Sequence, residues 1–133
     1  MSDETRVPIR ADYDIVTARE KGRFLASHLG LSSTESTLVV TAISELARNI
    51  LRYARRGEII LHFVQNGDAR GISVEARDEG PGIADVTLAL TEGYTTGTGL
   101  GLGLSGSRRL VDEFDLRTDV GAGTHVTIIK WGR

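Results

Sequence analysis

The segment around residues 45–49 contains two side chains that could do chemistry together. Glu45 and Asn49 are four residues apart, so a helix would present the carboxylate and the carboxamide on one face. A carboxylate can act as a general base, and a carboxamide oxygen is a ligand that Mg²⁺ accepts. A salt bridge between Glu45 and Arg48 is the plainer structural role for this carboxylate.

A second candidate group lies where a predicted strand meets a glycine turn. Asp78 ends the β-rich stretch 71–78 and precedes Gly80-Pro81-Gly82. A carboxylate in a cleft can accept a hydrogen bond from the amino group of a base, and glycine permits close approach of a flat ring. Capping of the turn by the aspartate is the structural alternative.

A glycine run fills residues 97–106, "GTGLGLGLSG". Backbone N–H groups of such a loop can turn towards phosphate oxygens, and a following helix start adds a favourable dipole. A lysine P-loop is excluded because Lys21 and Lys130 are the two lysines of the chain, both far from the run. A GxGxxG match at 101–106 lacks the buried strand that a dinucleotide fingerprint needs before it. We expect residues 85–98 to act as a lid.

An α+β fold is predicted to position these groups. Helical and β-rich segments are segregated, which predicts one domain over 1–133: a two-layer α/β sandwich with a mixed, mostly antiparallel sheet and helices on one face. The predicted elements are an edge strand at 6–10, a helix at 14–29, a helix from the Ser32–Glu35 capping box to Gly57, strands at 58–65 and 71–78 joined by a hairpin loop of about five residues, a third helix at 103–114, and strands at 115–119 and 123–131.

Composition narrows the function classes. The 133 residues carry a net charge of −2 and no cysteine, so disulfides and thiolate chemistry are excluded and a nucleic-acid surface is not favoured. No apolar run approaches the ~18 residues of a membrane span, which predicts a soluble cytoplasmic protein. The three histidines lack metal-ligand spacing, and we expect them to be structural.

Taken together and in order, the four motifs resemble the N, G1, G2 and G3 boxes of the GHKL ATPase and kinase superfamily, whose architecture is the Bergerat fold. The fourth motif is Gly121-Ala-Gly-Thr124, and the resemblance spans residues 38–130. It implies ATP and Mg²⁺ as cofactors, Asn49 as the magnesium ligand and Glu45 as the catalytic base. It also implies that Asp78 contacts the adenine amino group.

The resemblance assigns further residues around the nucleotide. Thr124 would place a hydroxyl near Asp78, while Arg48, Arg108 and Arg109 are left open between phosphate contact and exposed helix charge. The glycines that would approach the base or the triphosphate are Gly80, Gly82, Gly97, Gly99, Gly101 and Gly103.

Three segments narrow the resemblance: "TAISELARNI", "RRLVDEF" and "IKWGR" look like the small RsbT-type serine/threonine switch kinases of bacterial stress signalling. That resemblance implies a kinase that phosphorylates a STAS-domain antagonist protein and, once released, activates a PP2C-type phosphatase. Two alternatives stay open. One is an anti-sigma factor of the RsbW or SpoIIAB type, which binds a sigma factor and phosphorylates its STAS partner. The other is a nucleotide-binding module without phosphotransfer.

Overall fold

The computed structural model describes residues 4–80, 112–119 and 123–132. Its elements in chain order are strand β1 (Thr5–Ile9), helix α1 (Asp12–Leu29), helix α2 (Ser33–Asn49) continued by a π-helical segment (Ile50–Ala54), and strands β2 (Gly57–Asn66), β3 (Ala69–Asp78), β4 (Glu113–Asp119) and β5 (Gly123–Trp131).

The five strands form one sheet in the order β1-β2-β3-β5-β4. Each of the four described pairs is antiparallel, so the parallel pairing of a mixed sheet is not seen among these strands. Both helices pack against each other and against β2 and β3. The predicted α+β two-layer sandwich is therefore confirmed, and its described sheet is simpler than predicted.

The core lies between the helices and one face of the sheet. Alternate strand residues point into it because successive side chains of a strand face opposite sides. On β3, Ile72, Val74 and Ala76 are buried there. The helices contribute residues at helical spacing, and these buried core positions are Ile15, Ala18, Leu25 and Ala26 on α1 and Val39, Ala42, Ile43, Leu46 and Ala47 on α2.

Hydrogen bonds between side chains and nearby backbone N–H groups determine where both helices begin. The Ser32 side chain accepts the N–H of Glu35, and the Glu35 carboxylate accepts the N–H of Ser32, which confirms the predicted capping box. At α1, the Asp14 carboxylate accepts the N–H groups of Arg10 and Ala11, so the helix begins at Asp12, two residues earlier than predicted. Gly30 adopts a left-handed conformation directly after α1, so the helix ends at Leu29, as predicted.

The hairpin between β2 and β3 is tighter than predicted. Asn66 pairs with Ala69, so its loop contains two residues, Gly67 and Asp68, and not about five. Gly67 has a φ of 61°, which suits a two-residue hairpin turn. The prediction was wrong because the exposed polar residues at both strand ends still pair through their backbones, and side-chain patterning does not report that pairing.

The end of the second helix also differs from the prediction. Gly57 does not end it: the chain leaves the α-helix after Asn49, passes through the π-helical segment and turns at Arg55, which has a φ of 71°. The wider π turn rotates the following side chains away from the α-helical stripe. Tyr53, which an unbroken α-helix would place in line with Leu46 on the core side, is consequently 41% exposed.

The predicted third helix at 103–114 is wrong at its described end. Asp112 lies in a bend, and Glu113 and Phe114 already belong to β4. The apolar residues Phe114 and Leu116 alternate, as in a strand, and pack against the core. Residues 103–111 lie outside the described part of the chain. No helix among the described residues is long and apolar enough to cross a membrane.

Arg55→Gly is expected to raise the free energy of unfolding by about 0.5–1 kcal/mol. A left-handed conformation strains an L-residue by about 1–2 kcal/mol, and the added flexibility of the unfolded glycine variant offsets part of that gain. Urea denaturation measures the difference. Arg56→Gly is the control, because Arg56 has no positive φ and its replacement should only destabilise. Equal losses for both variants would contradict the strain at Arg55.

Candidate functional site

Asp78 is the last residue of β3 and lies between Gly57 at the start of β2 and Thr124 near the start of β5. Its Oδ1 accepts the backbone N–H of Gly80 at 2.9 Å and that of Thr124 at 3.3 Å. Among the described residues no group donates to Oδ2. The capping role considered from sequence is therefore present. The contact with a base stays a prediction, for which the other oxygen keeps its capacity to accept a hydrogen bond.

Burial raises the pKa of the Asp78 carboxyl above its ordinary value, because the charged form loses hydration. The N–H groups of Gly80 and Thr124 offset part of this rise. In the folded protein the carboxyl thus holds its proton more tightly than in the unfolded chain. Between the ordinary value of 3.8 and the raised value, the folded state binds more protons, so this group's contribution to stability falls as pH increases.

The pH dependence gives a prediction that needs no ligand. The free energy of unfolding of the wild type, relative to Asp78→Asn, should decline as pH rises above about 4 and become constant once the carboxyl has also ionised in the folded protein. Asparagine keeps an oxygen for the two N–H donors but cannot ionise. Urea titrations of both proteins at several pH values measure this difference. A difference that rises with pH would show that the pKa of Asp78 is lowered and not raised.

The backbone around Asp78 is packed too closely for side chains. A Cβ on Gly123 would collide with the carbonyl oxygen of Asp78 and lie 2.8 Å from Cα of Glu79. Gly123 also has a φ of 103°, a conformation that other residues rarely adopt. A Cβ on Gly80 would lie 2.6 Å from Cβ of Ala54. Glycine at these two positions therefore holds the turn after Asp78 between β5 and the π-helical segment.

Thr124 lies directly opposite Asp78 in the β3–β5 register. It is the Thr124 backbone N–H that bonds the carboxylate. The contact of its hydroxyl with a nucleotide stays a prediction.

Glu45 and Asn49 lie on the last turns of α2, and both are half-buried between the core side and the exposed side of the helix. Oε1 of Glu45 accepts Nη1 of Arg48 at 2.6 Å, so the plainer role of this carboxylate is present. Oε2 accepts no hydrogen bond from the described residues. The Asn49 carboxamide likewise forms no hydrogen bond with the residues that the structure describes.

The helix that carries Glu45 and Asn49 reaches the Asp78 turn through the π-helical segment. Ala54 is the last residue of this segment and lies against Gly80. π-helical turns are frequent at functional sites because they reorient the side chains around them. The segment thus connects the polar residues of α2 with the strand end that holds Asp78.

A polar cleft of about 820 Å³ opens at this end of the sheet. Asp78 and Thr124 line it together with Arg56 and Arg77. No salt bridge to either arginine is present among the described residues. The cleft keeps the Asp78 region accessible from solvent.

Several predicted site residues lie outside the described residues, so their roles remain predictions. These are Gly82, Gly97, Gly99, Gly101, Gly103, Arg108, Arg109 and the lid at 85–98.

Sequence reasoning missed two features of this region. The π-helical segment has no sequence signal, because its residues continue an ordinary helical pattern. The close contact of Gly123 with the Asp78 backbone depends on pairing between residues 45 positions apart. Gly123 was part of the fourth motif. Pairing of the predicted strand at 123–131 with the strand at 71–78 could have placed it opposite the end of β3.

Comparison with known families agrees with this geometry. The model of the histidine kinase-, DNA gyrase B- and HSP90-like ATPases matches residues 34–131. This match contains α2, the strand end at Asp78 and β5. The chain belongs to this family of ATPases.

A relative over the whole chain specifies the group within the family. The chain is 44% identical over 133 residues, all of both sequences, to the serine/threonine-protein kinase RsbT of Bacillus subtilis (strain 168). Within the family this protein is a serine/threonine kinase of the RsbT type.

Solved structures support the fold alone, because their sequence identities are low. The RsbU and RsbW domains of Rv1364c from Mycobacterium tuberculosis match 99% of this chain and 33% of that one, with a TM-score of 0.63 and 20% identity. The mycobacterial sensor histidine kinase MprB matches 100% of this chain and 99% of that one, with a TM-score of 0.56 and 16% identity.

Proposed function

We propose that this kinase transfers the γ-phosphoryl group of ATP to a serine or threonine hydroxyl of a STAS-domain antagonist protein. The observation that carries the proposal is the site around Asp78. A half-buried carboxylate lies against a close-packed glycine turn, and no described residue donates to one of its oxygens. The helix bearing Glu45 and Asn49 leads into that turn through the π-helical segment. The 44% sequence identity to RsbT over the full length supports the choice of a protein hydroxyl as acceptor.

Asp78 would select the base. Its Oδ2 would accept a hydrogen bond from the adenine 6-amino group, while Oδ1 stays bonded to Gly80 and Thr124. Guanine has an acceptor oxygen at the corresponding ring position. This oxygen would face Oδ2 of Asp78, and neither oxygen would have a donor. The burial that raises the pKa of this carboxyl also makes such an unpaired contact costly.

Asn49 would hold Mg²⁺ through its carboxamide oxygen. The ion prefers oxygen donors and commonly takes one or two protein ligands, with phosphate oxygens and water completing the shell. A half-buried carboxamide without a hydrogen bond to the described residues fits this role. When bound, the ion supplies positive charge that neutralises the phosphate oxygens.

Glu45 would accept the proton of the acceptor hydroxyl as its oxygen bonds to the γ-phosphorus. The bond from the γ-phosphorus to the β–γ bridging oxygen breaks, and ADP leaves with that electron pair. Arg48 occupies one oxygen of Glu45 and fixes the carboxylate, so Oε2 is the atom that would take the proton. A positioned base typically contributes about 10²–10⁴-fold to such a transfer.

The partners follow from the RsbT-type module. Phosphorylation would release the kinase from its cytoplasmic STAS antagonist, and the released kinase would bind and activate a PP2C-type phosphatase. An anti-sigma factor, which would bind a sigma factor and phosphorylate its STAS partner, is the competing candidate.

Incubation with γ-labelled ATP, Mg²⁺ and a candidate STAS protein tests the proposal. We expect label on one serine or threonine of the STAS protein, followed by capture of the phosphatase. A stable complex with a sigma factor would overturn the switch-kinase role in favour of the anti-sigma factor. Nucleotide binding without labelling of any STAS candidate would overturn phosphotransfer itself.

A further inference from the structure

Gly57 is the first residue of β2 and faces Asp78 directly in the β2–β3 register. The sequence predicted a helix end at this glycine, but the helix ends earlier and a strand begins here. Gly57 is not among the described glycines with a positive φ, so its backbone conformation is open to other residues. The reason for a glycine at this position therefore lies in the space around it.

The space around Gly57 is filled on three sides. A Cβ at this position would collide with the carbonyl oxygen of Arg77. It would also lie 2.9 Å from Cγ2 of Ile50 and 3.1 Å from Cβ of Asp78. Residues that face each other on antiparallel strands ordinarily have Cβ atoms about 4.5–5.5 Å apart. The Asp78 side chain thus begins in space that a side chain at position 57 would need.

Both ends of the π-helical segment pack on glycines beside Asp78. Ile50 at its start lies against Gly57, and Ala54 at its end lies against Gly80. Ile50 is 2% exposed and belongs to the core, so its side chain has no free space into which it could move aside. A side chain at position 57 would therefore displace Asp78 and separate the segment from the strand end.

The hydrogen bonds of Asp78 tolerate little displacement. The bond from the Thr124 N–H to Oδ1 is 3.3 Å long, just beyond the usual range of about 2.7–3.2 Å. A shift of the carboxylate by a few tenths of an ångström away from β5 would break it. The orientation of Asp78 therefore depends on the close approach that glycine at position 57 permits.

We propose that Gly57 is a positioning residue for nucleotide recognition. Because it has no side chain, the Asp78 carboxylate can hold the orientation in which Oδ1 bonds to two N–H groups and Oδ2 would face the base. Gly57 acts through Asp78 and needs no contact of its own with the nucleotide. The inference rests on the proposed contact of Asp78 with adenine, and it adds the residue that sets the direction of that contact.

Calorimetric titration of ADP and of GDP onto the full chain, with Mg²⁺ in the buffer, tests this role. Gly57→Ala is expected to weaken ADP binding by about tenfold or more, the size of effect expected for loss of one hydrogen bond to a charged group. It should weaken GDP binding less, so that the preference for ADP over GDP becomes smaller. General loosening of the fold would instead weaken the binding of both nucleotides equally.

Gly71→Ala is the matched control, because Gly71 lies in an equally crowded place at the other end of β3. A Cβ there would lie 2.6 Å from the carbonyl oxygen of Lys130 and 2.9 Å from Cε3 of Trp131. Both glycine variants should lose stability in urea, but Gly71→Ala should keep the affinity for ADP and the preference over GDP. An equal loss of ADP affinity in the two variants would overturn the positioning role.

A double-mutant cycle with Asp78→Ala tests whether Gly57 acts through the carboxylate. In the Asp78→Ala background, Gly57→Ala should cause little further loss of ADP affinity, and losses that add would overturn the inference. Where Gly57→Ala does not fold, Ile50→Leu decides, because leucine keeps the volume but moves a methyl group away from Gly57. Severalfold weaker ADP binding with a smaller preference over GDP would support the inference, and unchanged binding would overturn it.

The outcomes distinguish this inference from the proposed function. Failure of the wild type to bind ADP, or equal affinity for ADP and GDP, would overturn the proposed role of Asp78 and the role of Gly57 with it. A wild type that prefers ADP, together with a Gly57→Ala variant of unchanged affinity and preference, would overturn the role of Gly57 alone. Thermal melting of each variant shows whether the titrated protein is folded.

Discussion

Glu45→Gln is expected to lower kcat for phosphorylation of the proposed STAS partner by about 10²–10⁴-fold and to leave nucleotide affinity unchanged. Glutamine has nearly the same shape and can still accept from Arg48, but its side chain cannot take a proton at neutral pH. The loss should therefore appear in the chemical step and not in binding. Single-turnover labelling with excess enzyme measures that step, and ADP titration measures the affinity.

Two further variants of α2 test whether the slower transfer comes from loss of the base at Glu45. Glu35→Gln carries the same substitution at the start of the helix, where glutamine can replace glutamate in the capping box, and should leave the rate unchanged. Arg48→Ala removes the salt bridge and keeps the carboxylate. If Glu45→Gln and Arg48→Ala lost activity equally, the carboxylate would act only as the partner of Arg48. A base role requires the glutamine variant to be much slower.

Gly123→Ala should weaken ATP binding by at least tenfold and lower the free energy of unfolding by about 2–4 kcal/mol. Two effects add at this position. The φ of 103° is strained for alanine, and its Cβ would collide with the backbone of Asp78. Relief of that collision would move the end of β3 away from β5, and the Thr124 N–H would move away from the carboxylate. Urea denaturation and nucleotide titration measure the two losses separately.

Gly30→Ala separates strain from collision. Gly30 also has a positive φ, 83°, but a Cβ there would meet nothing within 4 Å. Its variant should lose only about 1 kcal/mol of stability, with unchanged ATP affinity. If Gly123→Ala behaved like Gly30→Ala in both measurements, close packing against Asp78 would not matter for the nucleotide site.

The two layers of the fold could be predicted from sequence because the spacing of apolar residues follows which face of each helix and strand is buried. Apolar spacing identified both described helices, and the capping box at Ser32 located the start of α2 to the residue. Alternation identified the strands, and motif order predicted the family. The local chemistry of a capping box or of a glycine after a helix acts over a few residues, which is the range that a sequence pattern reports.

Sequence reasoning failed where tertiary contacts outweighed local preference. Residues 103–114 were predicted as a helix, yet Glu113 and Phe114 at its end pair with Ile129 and Ile128 of β5. The π-helical segment and the left-handed Arg55 have no local signal, since both depend on how α2 meets the start of β2. The capping of the glycine turn by Asp78 was one of its two roles considered from sequence, but the bond from the Thr124 N–H depends on the pairing of β3 with β5. The contact of Asp78 with a nucleotide stays a prediction.

The sheet order has a consequence for how the protein acquires its function during folding. β5 lies between β3 and β4, so Asp78 receives its second hydrogen bond from a residue 46 positions later in the chain. Such long-range pairs form slowly because a long loop must close first. A chain whose helices and β2–β3 hairpin are already formed would still lack half of the Asp78 environment. Nucleotide would therefore stabilise only the completed fold and would act as a ligand that selects for correctly finished molecules.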